Sequence, residues 1–88
     1  MMNFEDLKGL VLDWADDRDL LHSENADKQF MKFIEEVFEF KTEMDIINLF
    51  GGNELAYNDM ELEMGDIFVT LIILCKQLGI DPVVCLSM

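Results

Sequence analysis

The chain has few of the residues on which several classes of protein depend. Cysteine occurs twice, as Cys75 and Cys85, and the spacing fits neither a C-x-x-C pair nor a zinc site. Because both lie among apolar residues, we expect buried free thiols and a cytoplasmic protein rather than a disulfide-linked one. The single histidine, His22, falls in a predicted loop, and we assign it no place in a site.

Positive charge is also scarce. Six Lys and Arg residues face 19 Asp and Glu residues, which gives a net charge of −13. So acidic a surface repels the phosphates of nucleic acids and of anionic membranes, and we expect direct binding to neither. The longest apolar run, Ile67 to Cys75, is far shorter than the roughly 20 residues of a membrane span. Residues 1–8 lack the apolar segment of a signal peptide.

Apolar residues, in contrast, are abundant for so short a chain. They make up 51% of its 88 residues and include seven Phe and seven Met. This length allows a single domain, residues 1–88, whose one small core can bury only part of that material. We therefore expect a homo-oligomer whose interface covers the remainder.

Apolar residues at helical spacing predict an all-α fold. We predict a first helix from about Phe4 to Leu21, a second from Ala26 to Leu49 and a third from Asp59 to Leu78. A fourth begins at Asp81-Pro82, with less than two turns before the sequence ends. The predicted fold is a helical bundle of three long helices plus the start of a fourth, completed by oligomerisation. We expect the sequence to be a fragment of a somewhat longer protein.

Capping residues set the predicted ends of these helices. The predicted N-terminal caps are Asn3 with Asp6 for the first helix, Ser23 or Asn25 for the second, and Asn58 with Glu61 for the third. The predicted C-terminal stops are Gly51-Gly52 for the second helix and Gly79 for the third. Residues 53–57 are then predicted to form a mobile loop, which could act as a lid.

Acidic residues interrupt the apolar pattern of the second helix. Glu35, Glu36 and Glu39 follow an E-E-x-x-E spacing, which brings three carboxylates within reach of one point on a helix. Glu36 borders the apolar face, so we expect it to be half-buried. The third helix is apolar almost all round and carries one narrow polar stripe. That stripe consists of Asp59, Glu63, Asp66, Thr70 and Gln77.

Two acids on the one polar stripe of a buried helix are costly unless they are paired or bind a metal. Antiparallel packing of the second and third helices could bring four acids together, namely Glu36, Glu39, Glu63 and Asp66. Carboxylates without His or Cys suit a hard cation such as Mg²⁺, or Mn²⁺. The alternative is a solvated acidic face on a non-catalytic helical oligomerisation module. A calcium protein is disfavoured because the D-x-D-x-D-G loop is absent.

Arg18 lies within the apolar stripe of the first helix, one turn after Trp14. Two interpretations stay open for it. The guanidinium either extends to the surface or pairs with a nearby acid, or it is held in a pocket for a phosphate or carboxylate.

The two acidic motifs, Glu35-Glu36-x-x-Glu39 and Glu63-x-x-Asp66, together resemble the signature of MazG-like, all-α nucleoside triphosphate pyrophosphohydrolases. Further segments are similar to the same family, over about residues 14–81. They are Trp14-x-x-x-Arg18, Gln29-x-x-Lys32-x-x-Glu35, Glu63 to Val69, and Leu78-Gly79-Ile80-Asp81.

The resemblance implies Mg²⁺-dependent hydrolysis between the α and β phosphates of a nucleoside triphosphate, by a homodimer or a dimer of dimers. It implies that the metal ligands are Glu36, Glu39, Glu63 and Asp66. It also implies that Glu35 orients or activates the attacking water and that Lys32 contacts a phosphate. Trp14 and Arg18 would contact the nucleotide. The family continues past the Asp81-Pro82 position into a helix with phosphate-contacting Lys, Asn or Arg. This sequence ends at Met88 before any such residue.

Overall fold

The computed structural model describes residues 1–88 and contains only helices. They are α1 (Phe4–Asp17), a 3₁₀ turn (Ser23–Asn25), α2 (Ala26–Phe50), α3 (Glu54–Leu78) and α4 (Pro82–Leu86). The predicted all-α fold, with three longer helices and a short fourth, is confirmed. None of the helices has the length and apolar character needed to cross a membrane.

A tight connection joins α2 and α3 into an antiparallel hairpin. Gly51 ends α2 with φ of 81°, a conformation that suits glycine because it has no Cβ. Only two residues later the Asn53 side chain caps α3 by accepting a hydrogen bond from the Ala56 amide, at 2.9 Å. The predicted mobile loop at 53–57 and the predicted start of the helix at Asp59 are therefore wrong. The glycine pair turns the chain quickly enough for an earlier asparagine to serve as the cap.

Helix α1 is shorter than the sequence predicts and ends at Asp17 instead of Leu21. Asp19 adopts φ of 60°, and the Leu20 amide donates back to the Ala15 carbonyl at 3.0 Å. This is a Schellman-type end with aspartate where glycine is more common. Aspartate tolerates the left-handed conformation better than most residues, so the end is not marked by a glycine in the sequence.

The remaining helix ends largely follow the prediction. Asn3 and Asp6 form a reciprocal capping box, and the Asp81 carboxylate accepts from the Val83 amide at 2.9 Å. Gly79 ends α3 with φ of 74°. Of the two predicted caps of α2, Asn25 is the N-cap residue and Ser23 is not. Asn25 occupies the N-cap position without a side-chain hydrogen bond, because α2 continues directly from the 3₁₀ turn.

The core lies at one end of the hairpin, where α1 packs against the C-terminal part of α3. Eight residues are buried: Ala15, Glu36, Thr70, Ile72, Ile73, Leu74, Cys75 and Gln77. No residue from 37 to 69 is buried, so the other end of the hairpin is uncovered. Large apolar side chains such as Phe38 and Leu62 are 66% and 70% exposed there.

The two cysteines are free, as predicted, but only Cys75 is buried, and Cys85 on α4 is exposed. The prediction for Cys85 is therefore wrong. Burial raises the pKa of the Cys75 thiol. Helix α4 is five residues long, and none of its residues is buried.

Candidate metal centre

Three carboxylates from α2 and α3 converge where the covered and uncovered parts of the hairpin meet. Glu36 and Glu39 come from successive turns of α2, and Glu63 comes from the facing turn of α3. One carboxylate oxygen from each lies within 4.8 Å of the other two. The antiparallel hairpin therefore brings the two predicted half-motifs together.

Glu36 is the most deeply placed acid of the cluster. The residue is 6% exposed, so it is buried rather than half-buried as the sequence predicts. Its Oε2 has no hydrogen-bond partner, and neither has the buried Oε2 of Glu63. A buried carboxylate oxygen that accepts no hydrogen bond destabilises the folded state by more than an ordinary hydrogen bond stabilises it. The cluster contains two such oxygens. A cation between them would remove that cost.

The electrostatics of the cluster are consistent with this shortage of positive charge. The pKa of Glu63 is raised, first by desolvation and then by the neighbouring carboxylates of Glu39, Glu36 and Asp66. Like charges at this range oppose one another's ionisation. The neighbouring carboxylates therefore hold the pKa of Glu63 above its ordinary value, and a cation would offset their effect.

Lys32 supplies the positive charge closest to the cluster within the chain. Its Nζ lies 3.2 Å from Glu36 Oε1 and 3.7 Å from Glu35 Oε2. The pKa of Lys32 is raised, mainly by its hydrogen bond to Glu36. This contact satisfies one oxygen of Glu36 and leaves Oε2 without a partner.

The donor set fits Mg²⁺ or Mn²⁺. Three carboxylates with no nitrogen or sulfur ligand are typical of hard cations. Oxygens around a Mg²⁺ ion are about 3.0 Å apart when adjacent and about 4.2 Å apart when opposite, and the three carboxylate oxygens lie within 4.8 Å of one another. Small side-chain rotations would close the difference, and water would complete the coordination shell.

Asp66, the fourth predicted ligand, is not part of this cluster. It is exposed and lies in the wall of an adjoining cavity of about 280 Å³. The same wall contains Trp14, Lys32 and Glu36, so four of the predicted site residues share one cavity. We name it the Trp14 cavity.

Two predicted residues lie outside this arrangement. Glu35 is 65% exposed at its side chain and contacts only Lys32 among charged groups. The Arg18 guanidinium stacks on the Trp14 ring, 4.3 Å from the ring centroid, and donates to the Trp14 carbonyl at 3.3 Å. Arg18 is exposed and forms no ion pair, so it extends to the surface as one of the two interpretations expected.

Polar residues that the prediction did not assign to the site lie beside it. Gln29 donates from its side-chain amide to the Thr70 carbonyl at 3.2 Å, and Gln77 donates to the Leu20 carbonyl at 2.7 Å. Both bonds tie separate segments together next to the Trp14 cavity. The sequence contains a signal for such contacts, because Thr70 and Gln77 are polar residues on an apolar helix. A polar side chain that becomes buried needs a hydrogen-bond partner.

Comparison of the chain with protein-family models, with curated proteins and with solved structures gives no match.

Proposed function

We propose that this chain is a Mg²⁺-dependent nucleoside triphosphate pyrophosphohydrolase that cleaves between the α and β phosphates and releases a monophosphate and pyrophosphate. One observation carries the proposal: the meeting of Glu36, Glu39 and Glu63, with a shielded and unpartnered oxygen on two of them. The resemblance of both acidic motifs to the MazG-like family gives the reaction class.

A bound Mg²⁺ would neutralise phosphate charge and lower the pKa of a water molecule. That contribution matters here because a chain with a net charge of −13 repels a triphosphate. Phosphoryl transfer depends mainly on positioning and on neutralised charge, and needs little covalent help from the protein.

The residues of the chain take separate roles in this proposal. Glu36, Glu39 and Glu63 hold the cation, and Asp66 lies near enough to assist from the wall of the Trp14 cavity. The Lys32 ammonium contacts Glu36 and lines that cavity, which supports a role for it on a phosphate. Glu35 is exposed and acts as the candidate acceptor of a proton from water.

The test is a pyrophosphate-release assay over the nucleoside triphosphates with Mg²⁺ or Mn²⁺. We expect release from the parent and a fall of at least about 100-fold in kcat/KM for Glu39→Gln, since loss even of an outer-shell partner costs 10–100-fold. Glu61→Gln is the matched control. It makes the same change of charge on an exposed residue of α3 and should leave kcat/KM unchanged.

A thermal melt provides an independent measurement. Mg²⁺ should raise the Tm of the parent and of Glu61→Gln by mass action, and raise that of Glu39→Gln far less. Absence of both pyrophosphate release and a Mg²⁺-dependent Tm would refute the proposal.

A second candidate is a non-catalytic acidic module that forms oligomers. The specific observation in its favour is the number of exposed large apolar residues against only eight buried residues. This candidate predicts an oligomer whose Tm is indifferent to Mg²⁺ and a Glu36→Gln variant at least as stable as the parent. Both candidates share the proposal of a homodimer or a dimer of dimers.

A further inference from the structure

A second cavity, of about 250 Å³, is lined in part by Lys32, which contacts Glu36 of the candidate metal centre. Its lining is Leu20, Asn25, Lys28, Gln29, Lys32 and Gln77. Five of these six residues are polar and none is acidic, although the chain contains 19 acids. The cavity shares Leu20, Gln29 and Lys32 with the Trp14 cavity. We name it the amide cavity.

Gln77 has the most unusual environment in this lining. The residue is 5% exposed, and its side-chain amide donates to the Leu20 carbonyl at 2.7 Å. Its Oε1 is buried and has no partner. The amide cannot reverse without facing its oxygen to the Leu20 carbonyl oxygen, so the acceptor is fixed in place. A shielded acceptor of this kind discriminates strongly between groups that can donate to it and groups that cannot.

Gln29 is held in the same manner by the Thr70 carbonyl, at 3.2 Å. This bond uses the amide nitrogen and leaves the carbonyl oxygen of Gln29 to accept. Both glutamines line the one cavity, and each has a side-chain oxygen that accepts no hydrogen bond within the chain.

The two lysines of the lining provide only donors. Lys28 is exposed and forms no ion pair, whereas Lys32 contacts Glu35 and Glu36. A cationic ligand would be opposed by both ammonium groups. A phosphate would satisfy them but would offer no N–H to the glutamine oxygens. A neutral ligand whose edge carries hydrogen-bond donors beside acceptors satisfies both the glutamine oxygens and the lysine ammonium groups.

From this pattern we infer that the amide cavity binds a nucleobase bearing an exocyclic amino group, with Gln77 and Gln29 as acceptors and Lys28 as the donor to its ring nitrogen or carbonyl. This inference rests on the proposed function, since Lys32 links the cavity to the carboxylates that would hold the triphosphate. A base with an oxo group in place of the amino group would place an oxygen against the Gln77 oxygen.

The test compares matched pairs that differ by amino against oxo: CTP with UTP, and ATP with ITP. We expect kcat/KM for pyrophosphate release to favour at least one amino member by about tenfold or more. Gln77→Met, of similar length but without an acceptor, should reduce that preference towards unity. Lys76→Met, an exposed neighbour outside the cavity, should retain it.

Gln29→Met provides a second measurement if Gln77→Met does not fold, and it should also weaken the preference. Equal kcat/KM within both pairs, or a preference that survives in both glutamine variants, would overturn the inference while leaving the proposed function intact.

If no triphosphate is hydrolysed, the proposed function fails and binding of CMP and UMP decides the inference. Chemical shifts of the Gln29 and Gln77 side-chain amides, followed by NMR, should then move with CMP and not with UMP. No shift with CMP, equal shifts with the two nucleotides, or displacement of CMP by inorganic phosphate alone would show that the cavity does not select an amino-bearing base.

Discussion

At the scale of single residues, the central feature is Glu36, an acid that is almost fully buried beside two other acids. The Lys32 ammonium satisfies one of its oxygens at 3.2 Å, and the other has no partner. A buried carboxylate is expensive, and a chain with few cations has little means of neutralising three of them. An external cation is the simplest way to stabilise this arrangement.

Glu63 gives a prediction about pH. Its pKa is raised by desolvation and by Glu39, Glu36 and Asp66. A group whose pKa is raised on folding stabilises the protein below its unfolded pKa, and that contribution is lost as pH rises through the folded pKa. Without divalent cations, the contribution of Glu63 to stability should therefore fall as pH rises above about 4.3.

The measurement is urea unfolding of the parent and of Glu63→Gln across this pH range, in EDTA. The variant should gain stability relative to the parent as pH rises, and saturating Mg²⁺ should reverse the order at pH 7.5. Glu61→Gln is the control and should parallel the parent. Parallel curves for all three proteins would contradict the raised pKa.

Much of this cluster could be predicted from residue spacing, because i and i+3 positions on one helix remain neighbours wherever the helix packs. The exposure of Asp66 could not be predicted from residue spacing. Its position one turn after Glu63 is rotated by about 60° around the helix, and only the crossing of α3 with α1 and α2 decides which side faces the cluster. Gln77 was recognisable as a polar residue on an apolar helix, but its partner Leu20 is distant in the sequence.

At the scale of elements, the helix ends separate what local sequence determines from what it leaves open. Two asparagines, Asn53 and Asn58, both have the form of an N-cap before α3. The structure uses Asn53, which accepts from the Ala56 amide, while Asn58 is an exposed position within the helix. The connection between the two helices is therefore only three residues long, 51–53.

These two asparagines allow a paired prediction about α3. Asn53→Ala should lower the free energy of unfolding by about 1 kcal/mol through loss of the cap. Asn58→Ala should leave it unchanged or raise it by up to about 0.7 kcal/mol, because alanine favours a helix interior. Equilibrium denaturation of both variants measures the difference. The opposite order would mean that the helix begins near Asp59.

At the scale of the whole molecule, the exposed surface is larger than that expected of a folded monomer of this size. The chain has an accessible surface of 6496 Å² and a mass of 10.2 kDa. A folded monomer of that mass exposes about 5,300 Å². The excess of roughly 1,200 Å² exceeds the ~800 Å² that each partner buries in a standard interface. The uncovered end of the α2–α3 hairpin carries part of this apolar surface, including Phe38, Leu49 and Leu62.

Association should therefore depend on apolar residues of that end. We expect the chain to sediment as a dimer or larger, and Phe38→Lys and Leu62→Lys to weaken association by at least about tenfold, as for central apolar interface residues. Asn48→Lys places a lysine at an exposed polar position of α2 and is the control. Analytical ultracentrifugation measures all four proteins, and a monomeric parent would contradict the expectation.

The sequence by itself determined the helical class, the approximate helices and the acids of the two motifs, because helical periodicity and carboxylate spacing are local properties of the chain. It also indicated more apolar surface than one core can bury. Only the tertiary structure decided where α1 and α3 begin or end, which acids meet, and that Gln29 and Gln77 line a cavity beside them. Those outcomes depend on contacts between residues far apart in the sequence, whose energies no local pattern contains.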